Sequence, residues 1–309
     1  MKQFIKYFLL FTLPILILGL FTEFLLRKIP NDYIQKKEFL DKNSDSVEVL
    51  FLGNSHSFYG VNPTYFSSNS FNASHVSQSL DYDFEILKKY NNHWRKLKCI
   101  AIPISCFSLF GRLETGPESW REKNYTIYYK ITASDKFIDY SEAIGNKLNV
   151  VLRRLNSYYI LGKSNISSSN LGWGIDFNSN KKMDLKLTGE IAAKKHTMKN
   201  DKCFIENLNI LKSIIAFAKI NGVNILFYTP PAYHTYSDNL DSNQINQTIK
   251  AIVEVDQIND NVSYHNFLFD SSFSEIDFYD ADHLNEIGAK KFTGKLDTLI
   301  NQEKQSLWH

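Results

Sequence analysis

The sequence predicts an α/β protein with a central parallel sheet, preceded by one helix that crosses a membrane. Short apolar runs rich in β-branched residues alternate with segments whose apolar residues repeat at helical spacing. The 309 residues are 43% hydrophobic and 22% charged, which excludes a disordered chain and a protein with many membrane spans. The net charge is only +2, so we expect no nucleic-acid partner, because there is no basic excess to neutralise a phosphate backbone.

Four runs have the composition of strands. The clearest is VEVLFLG at residues 47–53, followed by CIAIPIS at residues 99–105 and VNILFY at residues 223–228. Continuous apolar runs of this length are typical of parallel strands that are buried on both faces. Residues 262–269 form a fourth run with a weaker pattern.

Three segments have the pattern of amphipathic helices. Residues 81–90, 204–220 and 285–300 each place their apolar side chains at helical spacing on one face. The second of these segments is followed by Asn221-Gly222, a pair that favours a helix end. Helices in alternation with short apolar strands indicate a layered fold with a parallel sheet.

The N-terminal segment is long and apolar enough to span a bilayer. Residues 7–22 carry no charge, and the apolar stretch resumes after Glu23. A bilayer needs about 20 residues, so residues 7–26 suffice when Glu23 lies at the interface. No small-residue cleavage site follows, which favours an uncleaved signal anchor over a signal peptide; a buried amphipathic helix is the alternative. Basic residues flank both ends, so charge does not set the orientation.

We expect three parts in the chain. Residues 1–28 form the membrane anchor, the polar residues 29–46 form a linker, and residues 47–303 form the α/β domain. Within that domain, residues 156–184 are rich in Ser, Asn and Gly, and they form either a functional lid or a variable insertion. The three cysteines have no zinc-ligand spacing, so we expect buried thiols, no metal and no cofactor.

The first candidate for chemistry is the serine after the first strand. In an open α/β sheet, ligands bind beyond the carboxyl ends of the strands, and Gly53-Asn54-Ser55-His56-Ser57 lies there. A serine in a tight turn from strand to helix exposes its hydroxyl, and its own N–H can stabilise an oxyanion. The alternative is that Ser55 or Ser57 only caps the helix.

The second candidate is Asp280-Ala281-Asp282-His283, before the last predicted helix. A serine hydroxyl needs a base to remove its proton, and His283 can be that base. Asp280, three residues earlier, can hold the imidazole in one tautomer and stabilise its charged form. We expect Asp282 to point away. The alternative is a solvated, Asp-rich surface turn.

Together, these two segments resemble the motifs of the SGNH (GDSL-type) hydrolase superfamily. Its first block is usually Gly-Asp-Ser, here Gly53-Asn54-Ser55, and its last block is Asp-x-x-His, here Asp280 to His283. The resemblance covers residues 47–300, with an unmatched middle. It implies a three-layer flavodoxin-like fold, with Ser55 as nucleophile, His283 as base and Asp280 as the group that orients the base.

The chain departs from this family in its oxyanion hole. The family's second block contributes a glycine N–H, whereas the matching region here is Phe71-Asn72-Ala73-Ser74. Because the donor is main chain, Ala73 or Ser74 can still supply it beside the Ser55 N–H. The third block normally provides an Asn, and Ser105 is the nearest hydroxyl replacement; an ordinary strand-end serine is the alternative. Loss of one donor typically costs ~100-fold or more in rate.

Four further residues are candidates for contact with substrate. Asn54 and His56 flank Ser55, and His234 follows Pro230-Pro231 at a strand end. Each histidine is equally explained as a structural or solvated residue. Trp120 lies near several tyrosines, a composition that suits either a sugar-stacking platform or core packing.

The motifs indicate acyl transfer through an acyl-Ser55 intermediate. The acceptor is either water, as in an esterase, or a sugar hydroxyl, as in an O-acyltransferase. Anchored proteins of this layout resemble bacterial envelope proteins that acylate extracellular polysaccharide, which implies an extracytoplasmic domain. The alternative is a catalytically weak accessory or glycan-binding protein that partners a multi-span membrane acyltransferase. Nucleotide binding is set aside, because no Walker lysine or G-x-G-x-x-G run is present.

Overall fold

The computed structural model of the chain describes residues 1–131, 136–198 and 200–307. A five-stranded parallel sheet with the strand order β2-β1-β3-β4-β5 forms its centre. The strands, including a separate antiparallel pair, are β1 (Val49–Phe51), β2 (Ser70–Asn72), β3 (Cys99–Pro103), β4 (Asn224–Thr229), β5 (Val262–Asn266), β6 (Phe278–Asp280) and β7 (His283–Leu284). This order is the flavodoxin-like arrangement of a doubly wound α/β fold, as predicted.

The helices lie before, between and after the strands. In chain order they are α1 (Lys2–Lys28), α2 (Asp32–Asn43), α3 (Ser55–Gly60), α4 (Leu80–Lys89), α5 (Glu122–Asn124), α6 (Leu148–Leu155), α7 (Leu185–His196), α8 (Phe204–Ile220), α9 (His234–Ser237), α10 (Ser242–Ile258) and α11 (Glu286–Leu307). The helix predicted at residues 204–220 is confirmed with the same bounds, and those predicted at 81–90 and 285–300 are confirmed as α4 and α11.

The sheet is covered on both faces. Side chains alternate along a strand, so Val49 and Phe51 face one side, and Phe292 of α11 belongs to the core that covers them there. Leu50 faces the other side and is fully buried as well, and the same is true of Ile100 beside it in β3. Burial on both faces explains why the predicted strands are continuous apolar runs rather than alternating ones.

Several elements have no counterpart in the sequence prediction, among them β2, α2, α7 and α10. β2 is only three residues long and pairs with β1 from Val49↔Ser70 to Phe51↔Asn72, a run too short and polar for a periodic signal. The segment expected as a linker at residues 29–46 contains α2, where Lys36 and Leu40 are fully buried. Its polar composition hid the helix, since tertiary packing and not amphipathic pattern stabilises it.

The chain forms two compact units. The first consists of residues 1–37 and 120–166, and the second of residues 38–119 and 167–309. Residues 120–166, which we expected within the α/β domain, thus pack with the N-terminal helix. The second unit contains all five strands of the central sheet. In the described part of the chain, α1 alone is long and apolar enough to cross a membrane, a test that a signal sequence also passes.

Candidate active site

The turn after β1 presents Ser55 as the first residue of α3. Gly53 makes this turn with φ +98°, and a Cβ there would come within 2.4 Å of Pro103 Cδ, so only glycine fits. Asn54 is the helix cap, because its Oδ1 accepts a hydrogen bond from the His56 N–H at 3.0 Å. The cap is therefore Asn54, which leaves the Ser55 hydroxyl available for another contact.

The β6–β7 pair presents His283 to that hydroxyl. Asp280 and His283 pair across the two strands, and Asp280 Oδ1 accepts hydrogen bonds from the N–H groups of Asp282 (3.2 Å) and His283 (2.8 Å). The same carboxylate accepts from His283 Nδ1 at 2.9 Å, so the ring's other nitrogen is the acceptor. His283 Nε2 lies 2.8 Å from Ser55 Oγ. The structure thus brings together the three residues expected to form the triad.

Asp282 does not point away, contrary to our expectation. Its side chain is only 5% exposed, and its Oδ1 lies 3.4 Å from His283 Nδ1. Its Oδ2 lies 3.5 Å from His56 Nε2 and 3.9 Å from His196 Nδ1. The physical reason is the tight turn held by Asp280, which bends the chain so that both carboxylates approach one ring. Asp282 is a buried charge surrounded by three imidazoles.

The two carboxylates determine the charge state of His283. Burial alone would lower the pKa of His283, but the charges of Asp282 and Asp280 outweigh it and hold that pKa well above its ordinary value. In the same way, burial opposes ionisation of Asp282, but His283 keeps the pKa of Asp282 well below its ordinary value. The site therefore stabilises an imidazolium at residue 283, the form that a general base takes after it accepts a proton.

The neighbouring histidines are neutral. Burial lowers the pKa of His56, and burial lowers the pKa of His196 to about 3 against the attraction of Asp282. His56 Nδ1 lies 2.7 Å from Ser105 Oγ, and His196 Nδ1 lies 2.8 Å from Tyr236 Oη. We expected His56 to cap the helix or to line the substrate pocket; the structure buries its side chain, with its ring centroid 5.1 Å from that of His283.

The oxyanion donors differ from the sequence-based expectation. The Ala73 N–H donates to Phe51 O at 2.8 Å, since β2 continues its ladder with β1, and the Ser74 N–H donates to the side chain of Asn72 at 3.1 Å. The Ser105 hydroxyl contacts His56. These groups are therefore engaged within the protein.

Ser55 is different, because its N–H has no hydrogen bond to any residue that the structure describes. It lies at the start of α3, beside its own hydroxyl. An N–H in this position can donate to an oxyanion that forms on an acyl group attacked by Ser55.

Two other candidates are not part of this arrangement. His234 begins α9, is largely exposed and lies 3.7 Å from Asp238 Oδ2. It lines a surface depression with Lys182 and Glu275, whose lining does not include Ser55. Trp120 belongs to the first unit, where it is half exposed and the guanidinium of Arg121 lies 4.4 Å from its ring centroid.

Three aromatic rings that we did not anticipate form a wall beside His283. Phe177 stacks between Tyr59 (centroids 3.6 Å apart) and Tyr279 (3.9 Å). The edge of this stack meets the imidazole, with Phe177 5.3 Å from the His283 ring at an interplanar angle of 78°. The signal in the sequence was an aromatic residue one turn after Ser55 and another next to Asp280.

Phe177 comes from the Ser- and Asn-rich segment at residues 156–184. Part of that segment is fixed against α3, because Trp173 Nε1 donates to Tyr59 O at 2.7 Å and the Gly174 N–H donates to Phe58 O at 2.8 Å. A Cβ at Gly174 would lie 2.5 Å from the Phe58 ring, so the approach is close. These contacts fix this part of the segment against the helix that begins with Ser55.

One group of side chains has the composition of a metal site. His56, Asp282 and His283 each offer a ligand atom, and these atoms lie within 4.8 Å of one another. However, the ring nitrogens of His283 already contact Asp280 and Ser55. The arrangement fits a hydrogen-bonded acid–base chain better than an ion.

Comparisons with known proteins give a structural likeness only. No family model matches the chain, and no curated protein matches it. A solved structure from Streptococcus pneumoniae, provisionally described as a platelet activating factor, is 11% identical with a TM-score of 0.45 and covers 94% of this chain and 98% of its own. A provisionally described acylhydrolase from Bacteroides fragilis is 12% identical with a TM-score of 0.41, over 88% and 96%.

A GDSL-like lipase from Bacteroides thetaiotaomicron is 11% identical with a TM-score of 0.39, and the match covers 89% of this chain and 98% of that one. Likenesses at this level carry no argument about activity. The chemistry of this chain is therefore argued from its own site.

Proposed function

We propose that this protein is a serine-dependent acyl hydrolase or acyltransferase of the SGNH type. The observation that carries the proposal is the continuous chain of contacts from Asp280 through His283 to Ser55, with distances of 2.9 and 2.8 Å. Segments 228 positions apart in the sequence form it. A partly buried Asp-His-Ser chain of this geometry is what nucleophilic catalysis by serine requires.

In the proposed reaction, Ser55 Oγ attacks the carbonyl carbon of an acyl ester while its proton moves to His283 Nε2. Asp280 and Asp282 stabilise the imidazolium, and the Ser55 N–H donates to the oxyanion. His283 then gives the proton to the leaving oxygen, and the acyl group stays on Ser55. In the second half, His283 takes a proton from the acceptor as the acceptor oxygen attacks the acyl-serine. His283 then returns that proton to Ser55 Oγ as the bond between Oγ and the acyl carbon breaks, which releases the acylated acceptor, or the free acid when the acceptor is water.

We infer that the acceptor is a hydroxyl of an envelope or extracellular polysaccharide, or water in competition with it. The membrane-compatible α1 supports an anchored enzyme, and the aromatic stack of Tyr59, Phe177 and Tyr279 offers apolar surface beside the reacting atoms. An extracytoplasmic catalytic unit goes with this substrate class.

The alternative function is a weakly catalytic accessory or glycan-binding protein that acts with a multi-span membrane acyltransferase. The observation that favours it is the engagement of Ala73, Ser74 and Ser105 inside the protein, which leaves fewer donors for an oxyanion. Each lost donor lowers the rate by ~100-fold or more.

The test is acyl-enzyme trapping with the full chain in detergent. A fluorophosphonate probe should label the protein, and Ser55→Ala should abolish both labelling and cleavage of p-nitrophenyl acetate. Ser57→Ala is the matched control, because Ser57 lies in the same helix and is fully buried, so it should keep the labelling. Labelling and cleavage at background level in all three proteins would favour the alternative function, an accessory protein.

A trapped acyl-enzyme also distinguishes between water and a sugar hydroxyl as the acceptor. The acetylated protein is mixed with an oligosaccharide, and mass spectrometry follows the acetyl group. Transfer to the sugar in excess of acetate release supports the transferase, whereas unchanged acetate release supports the esterase.

A further inference from the structure

The first unit exposes an unusual number of large apolar side chains between residues 137 and 161. Single exposed apolar residues are normal on soluble proteins, but a concentration of them marks an interaction surface. Six of them are more than half exposed, and we call them the apolar surface: Phe137, Ile144, Leu148, Leu152, Ile160 and Leu161.

This segment is tied to the last turns of α1 by hydrogen bonds. The Glu23 carboxylate accepts from the Ala143 N–H at 2.8 Å, and Arg27 donates to Tyr140 O at 2.6 Å. The Tyr159 hydroxyl donates to Leu25 O at 2.9 Å. The contacts on α1 span residues 23–27, about 6 Å along its axis, so they place the segment at one level of the helix.

Apolar packing also connects the segment to the last turns of α1. Leu26 and Ile29 are fully buried and form a core with Val151 of α6. The C-terminal end of α1 is thus part of the core of the first unit. Removal of α1 as a signal sequence would delete this core, so the structure favours a retained anchor.

The segment contacts α1 at the depth expected for the edge of a bilayer. Residues 7–22 are uncharged and, at 1.5 Å per residue, cover about 24 Å, most of the hydrocarbon core. Glu23 is the first charge after them. Groups that contact residues 23–27 therefore lie where the hydrocarbon meets the headgroups.

The charges and aromatic rings of the segment suit that location. Lys147 and Arg153 are exposed, whereas Glu142 is buried and pairs with Arg154 at 2.6 Å. Exposed charge is thus positive, which complements anionic lipid headgroups. Tyr140 and Tyr159 are exposed as well, and tyrosine is typical of the membrane interface.

We propose that residues 137–161 dock onto the surface of the bilayer beside the anchor, with the apolar surface inserted at the boundary between headgroups and acyl chains. The occupant of this surface is lipid, and its contact adds to the hold of α1. The proposal depends on α1 as a membrane anchor and not on the chemistry at Ser55.

The experiment measures membrane depth in the full chain. With Cys203→Ser as background, since Cys99 and Cys106 are buried, an NBD fluorophore is attached at Leu148→Cys or Ile160→Cys. The protein is reconstituted in vesicles of phosphatidylcholine and phosphatidylglycerol that contain lipids spin-labelled near the headgroup or deep in the chain. Leu13→Cys in α1 is the control for depth, and each labelled protein in vesicles without spin labels is the reference.

We expect headgroup-region spin labels to lower NBD emission at residues 148 and 160 at least twofold relative to vesicles without spin labels, and deep labels to quench residue 13 most. Emission at residues 148 and 160 that the spin labels leave unchanged would overturn the proposal and leave the surface to a protein partner. Absence of quenching at residue 13 would show that α1 is not inserted in the bilayer, and this result would also overturn the proposal. Circular dichroism melts identify variants that fail to fold, and Leu152→Cys then replaces them.

Discussion

The second carboxylate on His283 gives the sharpest test of the proposed chemistry. Asp282→Asn removes a charge whose Oδ1 lies 3.4 Å from His283 Nδ1 and keeps the shape of the side chain. Opposite unit charges at that distance attract by roughly 5 kcal/mol at an effective dielectric constant of about 20. Burial of the two charges offsets much of this attraction, and couplings between close charge pairs begin at about 1.5 kcal/mol, so we expect a loss of about 1.5 kcal/mol in the transition state.

That loss corresponds to about a tenfold lower kcat/KM on the high-pH plateau. The second effect is on the pH profile, because Asp282 is one cause of the raised pKa of His283. Without it the pKa falls, the neutral base persists to lower pH, and the acid limb of kcat/KM moves to lower pH.

The assay is hydrolysis of p-nitrophenyl acetate between pH 5 and 9, with Asp280→Asn as the comparison. Asp280→Asn removes the group that fixes the imidazole and should lower the plateau by roughly 10³–10⁴-fold. The reasoning is refuted if Asp282→Asn leaves the acid limb in place, or if its plateau falls as far as that of Asp280→Asn.

Three further outcomes are expected. Phe177→Ala opens the wall beside His283 and should lower kcat/KM about tenfold while Phe177→Leu retains most activity; equal losses in steady-state kinetics would contradict this. Gly53→Ala should lower the free energy of unfolding in urea by about 3 kcal/mol, because Gly53 has a positive φ and an added Cβ would clash with Pro103. The control Gly294→Ala should not destabilise the protein, because a Cβ at this position in α11 meets open space. Burial raises the pKa of Asp83 from 3.8 to about 7. The protonated Asp83 carboxyl therefore contributes up to about 4 kcal/mol to the free energy of unfolding below pH 4, and this contribution is lost as the pH rises through 7. Asp83→Asn should flatten the unfolding free energy between pH 4 and 8; an unchanged slope would rule this out.

The fold class was predictable because its signals are local. The apolar runs at β1, β3 and β4 and the periodic pattern of α8 depend on side chains that are neighbours in sequence. β2 escaped prediction because it is only three residues long and has no period of its own. α2 was not predicted because its residues have the composition of a linker. Tertiary packing of its buried side chains, and not a local pattern, stabilises this helix.

The sequence by itself determined the parallel α/β architecture, an apolar N-terminal helix and the two motifs that hold Ser55 and His283. Each follows from composition or short-range spacing. Tertiary structure decided that Asp282 is buried against the imidazole, that Phe177 reaches it from a polar segment, and that the Ala73 and Ser74 donors are engaged. Those outcomes depend on distances between residues far apart in the chain, which are fixed only when the sheet, its turns and the loop around them pack together.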